Sequence, residues 1–410
     1  MVRPSALTRD GILAAIRGVM VAAVVLVCIG WALANVFTQH HLLYDFKGGL
    51  YNAGVAILNG HNPFHADYIA HQAAIMRAGG IAVGETSAHA FSLPVYPAPA
   101  NLAVVPFSLL PYWVAGALFT VLSVAAMVLA LRLLEVRDWR CYGLALISWP
   151  FAFGLELGTL GPLLVLGVAG LWRWRDRLWP PAIALAAIVI AKVFPFPLAA
   201  WLIITRRYRQ LALTAALGAA VTLAAWAMLG FAGLTSYPTM LSNLSFIQEG
   251  RSDSVVAVLL AAGFSAPAAQ AAALLAVAGL LGLAWQFNRS GEHQREAFGL
   301  AVMAALTATP IVWDHYLVLL FVPIALLSPS YSKLWLVPLA SPILVLFSTA
   351  IVPLGHVPPS HSPHNTRMAI VSLCLEAFVV FRLCRPRSSA RREPVVEAAA
   401  AGATPPLATA

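Results

Sequence analysis

Residues 113–131 read WVAGALFTVLSVAAMVLAL, nineteen consecutive residues without a charged side chain. A helix of about 20 apolar residues is long enough to cross the roughly 30 Å hydrocarbon core of a bilayer. Beyond Pro111 similar apolar runs follow almost without interruption. The whole chain is 60% hydrophobic and only 10% charged, whereas soluble domains carry roughly 25% charged residues. The sequence therefore predicts an all-α polytopic membrane protein and excludes a soluble enzyme or binding domain.

The basic residues are confined to short clusters between the apolar runs, and they determine the predicted topology. The positive-inside rule places such clusters in the cytoplasm, which also explains the net charge of +9 without a nucleic-acid partner. The clusters lie at 3–17, 132–140, 173–177, 206–209, 289–295, 333 and 382–392. About twelve spans result, with both termini inside. The turns at 154–159, near 192, and at 231–267, 309–315 and 353–366 then lie outside.

The N-terminal apolar run, 19–37, allows two interpretations. Residues 32–34 resemble a signal-peptide cleavage site, but the length of the run favours an uncleaved first helix. A large outer loop follows at about 38–100, in which mixed periodicity predicts surface helices at 49–58 and 68–76. The apolar stretch 101–110 is too short to span the membrane and is interpreted as a re-entrant segment or a helix start.

Residues 1–386 are predicted to form one transmembrane domain, followed by a disordered cytoplasmic tail at 387–410 that is rich in Ala, Pro and Arg. The pairs of spans at 141–172 and 181–205 are short for a bilayer. They are either short helices shielded by their neighbours, or the number of spans differs by two. The four cysteines lie in or beside apolar runs, and we expect buried, reduced thiols.

A few polar residues occupy positions where an apolar helix or its outer edge rarely carries them. In the predicted topology all of them map to the outer side, which indicates a single site at that face. Each has a structural alternative: a carboxylate can cap a helix, a lysine can reach the interface, and a histidine can cap a helix end. The set comprises Asp45, Glu156, Lys192, Arg251, Asp253, Asp314 and His315.

Several catalytic motifs are missing from the sequence. There is no Walker loop, so ATP hydrolysis is not expected, and there is no GxSxG, HExxH or strand-associated GxGxxG pattern. The helices also lack the central string of acidic residues that a proton relay needs.

A series of short motifs resembles glycosyltransferase family 87, whose members are membrane mannosyltransferases of the GT-C fold that use polyprenyl-phosphate sugars. In order, the motifs are Tyr44-Asp45-Phe46, Tyr51-Asn52-Ala53-Gly54, Leu58-Asn59-Gly60-His61-Asn62-Pro63-Phe64, Tyr96-Pro97-Ala98-Pro99, Lys192-Val193-Phe194-Pro195 and Thr309-Pro310-Ile311-Val312-Trp313-Asp314-His315-Tyr316. Two departures occur. Ala98 replaces a proline of the family's Tyr-Pro-Pro element, and Thr159 and Leu160 replace a Gln-Asn pair.

The resemblance implies a glycosyltransferase of the inner (plasma) membrane that moves a hexose, with mannose as the expected sugar. The donor would be a polyprenyl-phosphate sugar and the acceptor a lipid or glycan, meeting at the outer face. Asp45 would be the general base of an inverting displacement. Lys192 and His315 would bind the donor phosphate by motif, and Arg251 is added because of its outer-loop position.

Further residues are expected to contact substrate: Tyr96, Glu156, Asp314 and Asn62. No cofactor is expected, although a metal site stays open because Asp45, Asp67 and Asp253 could meet in space. Two alternatives to the enzyme are a transporter or flippase of lipid-linked sugars and an inactive subunit of envelope assembly.

Overall fold

The computed structural model describes residues 43–65, 67, 95–248, 250, 252–340 and 363–385, together with residues 19 and 26. Within these ranges every regular element is helical and there is no strand, which confirms the all-α prediction. The α-helices are α1 Tyr44–Phe46, α2 Asn52–Leu58, α3 Ala98–Ser108, α4 Tyr112–Leu133, α5 Trp139–Ile147, α6 Trp149–Leu157, α7 Gly161–Arg173, α8 Trp179–Ala191, α9 Leu198–Ile204, α10 Tyr208–Met228, α11 Ser236–Gln248, α12 Val255–Ala261, α13 Ala266–Arg289, α14 Gln294–Thr307, α15 Phe321–Leu327 and α16 Pro363–Cys384. A π-helical turn, Lys47–Tyr51, joins α1 to α2, and 3-10 helices occupy Asp314–Leu320 and Lys333–Leu336.

Three of the described helices are long and apolar enough to cross a membrane: α4, α10 and α13, with hydropathies of 2.4, 1.8 and 1.8. Helices α10 and α13 are mostly exposed, and large apolar side chains such as Leu223 and Leu275 project from them. Lipid accounts for such surfaces, because a water-soluble monomer rarely exposes them over whole helices. Apart from residues 19 and 26, the predicted first span at 19–37 lies outside the described residues, as does the predicted tail, so the count of about twelve spans stays a prediction.

Helices α5 to α9 are short, because turns divide the apolar sequence between 139 and 204. Helix α6 ends at Gly158, which has a φ of 70°, and α8 ends where Lys192 adopts an extended conformation ahead of Pro195. Helices α7 and α8 have 13 residues each, or about 20 Å of rise, which is less than a bilayer core. Both pack against each other, and α7 also packs on α4. Their inner faces belong to the main hydrophobic core.

The predicted first outer loop is helical at its start. The predicted helix at 49–58 is present but begins earlier, at Tyr44, and its buried face includes Leu50 and Ala53. The segment 101–110 lies mostly in α3, which begins after the extended Pro97 and ends before Pro111. The predicted helix at 68–76 lies outside the described residues.

The cysteines differ in exposure, contrary to the expectation that all are buried. Cys141 is buried and Cys384 is half-buried, but Cys374 is exposed on α16. All three are free thiols.

The loops that carry the basic clusters meet at one end of the molecule, called here the basic end: loops 134–138, 174–178, 205–207, 290–293 and 328–332. Arg207 Nη2 lies 2.9 Å from Asp176 Oδ1 and joins two of these loops. Arg175 interacts electrostatically with Glu135 and Arg295 of two others. Convergence of these loops is what one cytoplasmic face would require.

A second set of contacts closes the basic end. Arg140 Nη2 lies 2.7 Å from Asp138 Oδ2, and the Arg140 guanidinium lies 4.5 Å from the centre of the Tyr331 ring. The backbone N–H of Arg137 donates to the carbonyl of Pro329. Helix α7 runs to this end from Gly161 and α8 returns to Lys192. Gly161 and Lys192 therefore lie at the same end of this hairpin, about 20 Å from its turn at 174–178.

Candidate active site

Asp45 lies on the short helix α1, and its backbone is anchored on both sides. Leu43, with a left-handed φ of 58°, donates its N–H to the carbonyl of Glu156 at 2.8 Å. Phe46 is fully buried and stacks on Phe119, with ring centroids 4.4 Å apart. The carboxyl group of Asp45 is held between these two anchors and is half-buried.

The turn after α6 fits closely against this segment. A Cβ atom added to Gly158 would lie 2.8 Å from Cβ of Phe46 and 3.1 Å from Cα of Leu43. Gly158 also has a φ of 70°, a conformation that costs other L-residues roughly 1–2 kcal/mol. The turn therefore requires glycine for both its conformation and its contact with α1.

Lys192 lies at the end of α8 inside a set of three aromatic rings. Its Nζ atom is 4.0 Å from the centre of the Tyr316 ring, 5.6 Å from that of Tyr96 and 6.0 Å from that of Phe194. Asp45 and Lys192 interact electrostatically but form no direct ion pair. Asp45 and Lys192 are therefore close enough to interact but are not held together as an ion pair.

The surroundings shift the pKa values of both groups, which lie outside the apolar spans. Burial raises the pKa of the Asp45 carboxyl, and the Lys192 ammonium opposes this rise. Burial lowers the pKa of Lys192 to about 8, and Asp45 opposes this fall. Asp45 is therefore a stronger base than an exposed aspartate, and Lys192 remains mostly cationic at pH 7.

His315 lies beside Lys192 and is almost fully buried, with 2% of its surface exposed. Neither ring nitrogen has a hydrogen-bond partner among the described residues. A Cβ atom on Gly154 would lie 3.2 Å from Cβ of His315, and one on Gly161 would lie 3.6 Å from its carbonyl. The two glycines let the 3-10 helix pack against α6 and α7. The imidazole of His315 also interacts electrostatically with Lys192.

Tyr96 completes the cluster from the other end of the outer loop. Tyr96 is 2% exposed, and its side chain interacts with the backbone of Leu160 and electrostatically with Asp45. A Cβ atom on Gly49 would lie 3.1 Å from its ring. The structure thus brings four of the sequence-predicted site residues together: Asp45, Tyr96, Lys192 and His315. The predicted roles of these residues stay predictions.

Glu156 and Asp314 border this cluster. Glu156 contributes its backbone carbonyl to the anchor of Leu43. Asp314 is buried, and its Oδ2 atom accepts a hydrogen bond from Trp149 Nε1 at 3.1 Å. Asp253 interacts with Asp314 and with Glu376 of α16. Glu156 and Asp314 thus adjoin the cluster, and their contact with substrate stays a prediction.

Asn62 lies apart and has structural partners. Its Nδ2 atom donates to the carbonyls of Leu229 and Ala232, and its Oδ1 atom accepts from the N–H of Phe64. These bonds attach the outer loop to the end of α10. Arg251 lies outside the described residues, but the neighbouring Asp253 N–H donates to Val312 at 2.7 Å, three residues before His315.

Sequence reasoning missed three residues around the cluster: Tyr316, Trp149 and Glu376. An acid within the apolar sequence of α16 was an available signal for Glu376. Tyr316 and Trp149 are aromatic residues in apolar surroundings, and only the fold shows which neighbours they contact.

The described residues contain no group of three or more His, Cys, Asp and Glu side chains that could hold a metal ion. Asp45 and Asp253, two of the three acids that could have met, are engaged in different local contacts. The expectation of a site without a cofactor stays a prediction.

Comparison with known proteins gives one match. The model of glycosyltransferase family 87 matches residues 95–312, slightly more than half of the 410 residues. The match includes Tyr96, Glu156, Lys192 and Arg251, whereas Asp45 precedes it and His315 follows it closely. No curated protein and no solved structure matches. The extent of the match confirms the resemblance that the motifs predicted, and the chain belongs to glycosyltransferase family 87.

Proposed function

We propose that this glycosyltransferase moves mannose from a polyprenyl-phosphate donor to a lipid or glycan acceptor at the outer face of the plasma membrane. The observation that carries the proposal is the meeting of Asp45 and Lys192, 147 positions apart in the sequence, at the opposite end of α7 and α8 from the basic loops. A lipid-linked donor suits an enzyme with an exposed apolar surface and no nucleotide-binding motif.

The proposed reaction is a single displacement. The carboxylate of Asp45 takes the proton of the acceptor hydroxyl while the acceptor oxygen attacks the anomeric carbon. The bond between that carbon and the phosphate oxygen breaks, and its electron pair leaves with the polyprenyl phosphate. One carboxylate suffices because no glycosyl-enzyme forms, and the anomeric configuration inverts.

Charge develops on the departing phosphate, and Lys192, His315 and Arg251 are proposed to stabilise it. Lys192 has no carboxylate within ion-pair distance among the described residues, so its N–H donors are available to the phosphate. His315 offers ring nitrogens that have no protein partner among the described residues. Arg251 is proposed as a third phosphate ligand, because the chain beside it bonds to the segment before His315.

The remaining residues of the site are assigned to substrate binding. Tyr96 and Asp314 adjoin the cluster and could hydrogen-bond sugar hydroxyls, and Glu156 supports the turn beneath Asp45. Asn62 is proposed to act indirectly, because its amide group holds the outer loop in place.

The reaction is tested with purified protein in lipid nanodiscs and radiolabelled polyprenyl-phosphate mannose, with the glucose and galactose analogues and a nucleotide mannose in parallel. We expect transfer from polyprenyl-phosphate mannose with an inverted anomeric centre. Transfer only from the nucleotide sugar would contradict the donor assignment. Movement of the labelled lipid across vesicles without transfer would favour the flippase alternative.

The topology is tested by labelling single cysteines in a variant without native cysteines. His61 lies in the exposed outer loop and Glu292 lies at the basic end. A cysteine at His61 should react with a membrane-impermeant maleimide in intact cells, and one at Glu292 should react only after permeabilisation. The reverse pattern would place the site on the cytoplasmic side and contradict the proposed orientation with cytoplasmic termini.

A further inference from the structure

The side chain of Lys192 is surrounded by rings rather than by carboxylates. Tyr316 is the nearest of these rings, at 4.0 Å from Nζ to the ring centre. The face of an aromatic ring attracts an ammonium group without using its N–H donors, because the attraction comes from the ring quadrupole. A carboxylate at the same place would use those donors and neutralise the charge.

The Tyr316 ring is itself fixed by its neighbours. It stacks on Phe194, with centroids 5.0 Å apart and an interplanar angle of 13°. The Tyr316 ring also contacts the ring of His315 edge to face, with ring centroids 4.7 Å apart. A ring held on two sides gives the ammonium above it a defined position, which a flexible lysine side chain otherwise lacks.

We infer that Tyr316 is a positioning residue that holds the Lys192 ammonium by its ring face and presents its N–H donors to a phosphate ester of a lipid. This inference rests on the proposed function, since it refines how the donor phosphate is bound. Tyr316 does not itself contact the reacting atoms. Its ring is required, and its hydroxyl group is not required for this role.

The test measures binding of polyprenyl phosphate to full-length protein in nanodiscs. Polyprenyl phosphate is a product of the proposed transfer and contains the lipid phosphate of the donor. Tyr316→Leu should weaken binding roughly five- to thirtyfold, the range that a desolvated cation–π contact supports. Tyr316→Phe keeps the ring and should bind like the wild type. Tyr331→Leu removes the equivalent ring from Arg140 at the basic end and should change nothing.

Kinetics separate positioning from general damage. In Tyr316→Leu the KM for the donor should rise by a similar factor, while the KM for the acceptor stays unchanged. If Tyr316→Leu does not fold, Phe194→Leu replaces it, with an expected two- to threefold weakening because the Tyr316 ring loses its stacking partner and Lys192 loses the most distant of its three rings.

The outcomes distinguish this inference from the proposed function. Equal binding by the wild type and Tyr316→Leu would overturn the role of Tyr316 and leave the donor assignment intact. Equal losses in Tyr316→Leu and Tyr316→Phe would assign the effect to the hydroxyl group and also overturn it. Absence of binding by the wild type would overturn the proposed donor and this inference together.

Discussion

Charged side chains form ion pairs at one end of the molecule and lie close together without ion pairs at the other. At the basic end Arg207 pairs with Asp176 and Arg140 pairs with Asp138, and one partner of each pair is largely exposed. At the other end Asp45, Lys192 and His315 approach one another without a direct ion pair. Partly exposed pairs contribute little to stability, and the positive-inside rule predicts that the basic end faces the cytoplasm. An acid and a cation that are not neutralised by a direct ion pair retain their capacity to bind and react, which is typical of functional sites.

Apart from replacement of Asp45, the proposed base, replacement of Lys192 should cause the largest loss of activity. Lys192→Met removes the charge that stabilises the leaving phosphate, and kcat/KM should fall by about 10²- to 10³-fold. Arg140→Met removes a cation from the basic end and should leave kcat/KM within twofold of the wild type. Both variants are compared in the transfer assay. Equal losses would mean that the two ends do not differ in function.

The turn beneath Asp45 should be the next most sensitive feature. Gly158→Ala forces a left-handed conformation and a Cβ contact with Phe46, so it should destabilise the protein by about 1–3 kcal/mol and reduce transfer several-fold. Gly60→Ala is the matched control, because Gly60 has a φ of 76° but nothing within 4 Å of an added Cβ. It should cost only the conformational part and leave transfer unchanged. Thermal unfolding and the transfer assay check both variants.

The alkaline limit of activity should follow Lys192. Because the pKa of Lys192 is lowered to about 8, its ammonium form is lost as the pH rises through that value, and transfer should fall there. In Lys192→Arg the guanidinium stays charged, so the remaining activity should extend to higher pH. Among the residues that the structure describes, the other ionisable groups that face Lys192 are Asp45, His315, Tyr96 and Tyr316. If transfer by Lys192→Arg is lost at the same alkaline pH as in the wild type, one of these other groups and not Lys192 causes the loss.

The smallest effect is expected at the basic end. Asp138 caps α5 by accepting from the N–H of Arg140, and the Arg140 guanidinium lowers the pKa of Asp138. Asp138→Ala should cost about 1 kcal/mol of stability and leave transfer unchanged. In the wild type this contribution is present above about pH 4 and is lost as the pH falls through the lowered value. Unfolding curves of both proteins between pH 3 and 7 check it, and a loss of transfer in Asp138→Ala would contradict the assignment.

Much of this arrangement follows from simple rules of sequence. Composition alone requires a helical membrane protein, and the clustering of Arg residues separates one end of the helices from the other. That separation places Asp45, Lys192 and His315 at the same end before any contact is known. The family match then fixes the enzyme class.

The remainder depends on packing that periodicity does not encode. The turns at 154–159 and near 192 are predicted from the positions of the basic clusters, but apolar residues continue through the break between α5 and α6, so hydropathy does not reveal that the helix divides at Ser148. Asn62 belongs to a family-like motif, yet its amide holds the loop to α10. The ring of Tyr316 meets Lys192 only because α8 and the 3-10 helix converge, and no spacing in the sequence indicates that contact.

The measurement that tests the central claim most directly compares transfer from polyprenyl-phosphate mannose by the wild type, Asp45→Asn and Asp138→Asn, each shown to be folded by thermal unfolding. Loss of the proposed base should reduce kcat by about 10²- to 10⁴-fold in Asp45→Asn. Asp138→Asn, which changes an acid at the basic end in the same way, should retain wild-type transfer. Equal transfer by Asp45→Asn and the wild type would contradict the account, because the acid at the centre of the cluster would then have no part in the reaction.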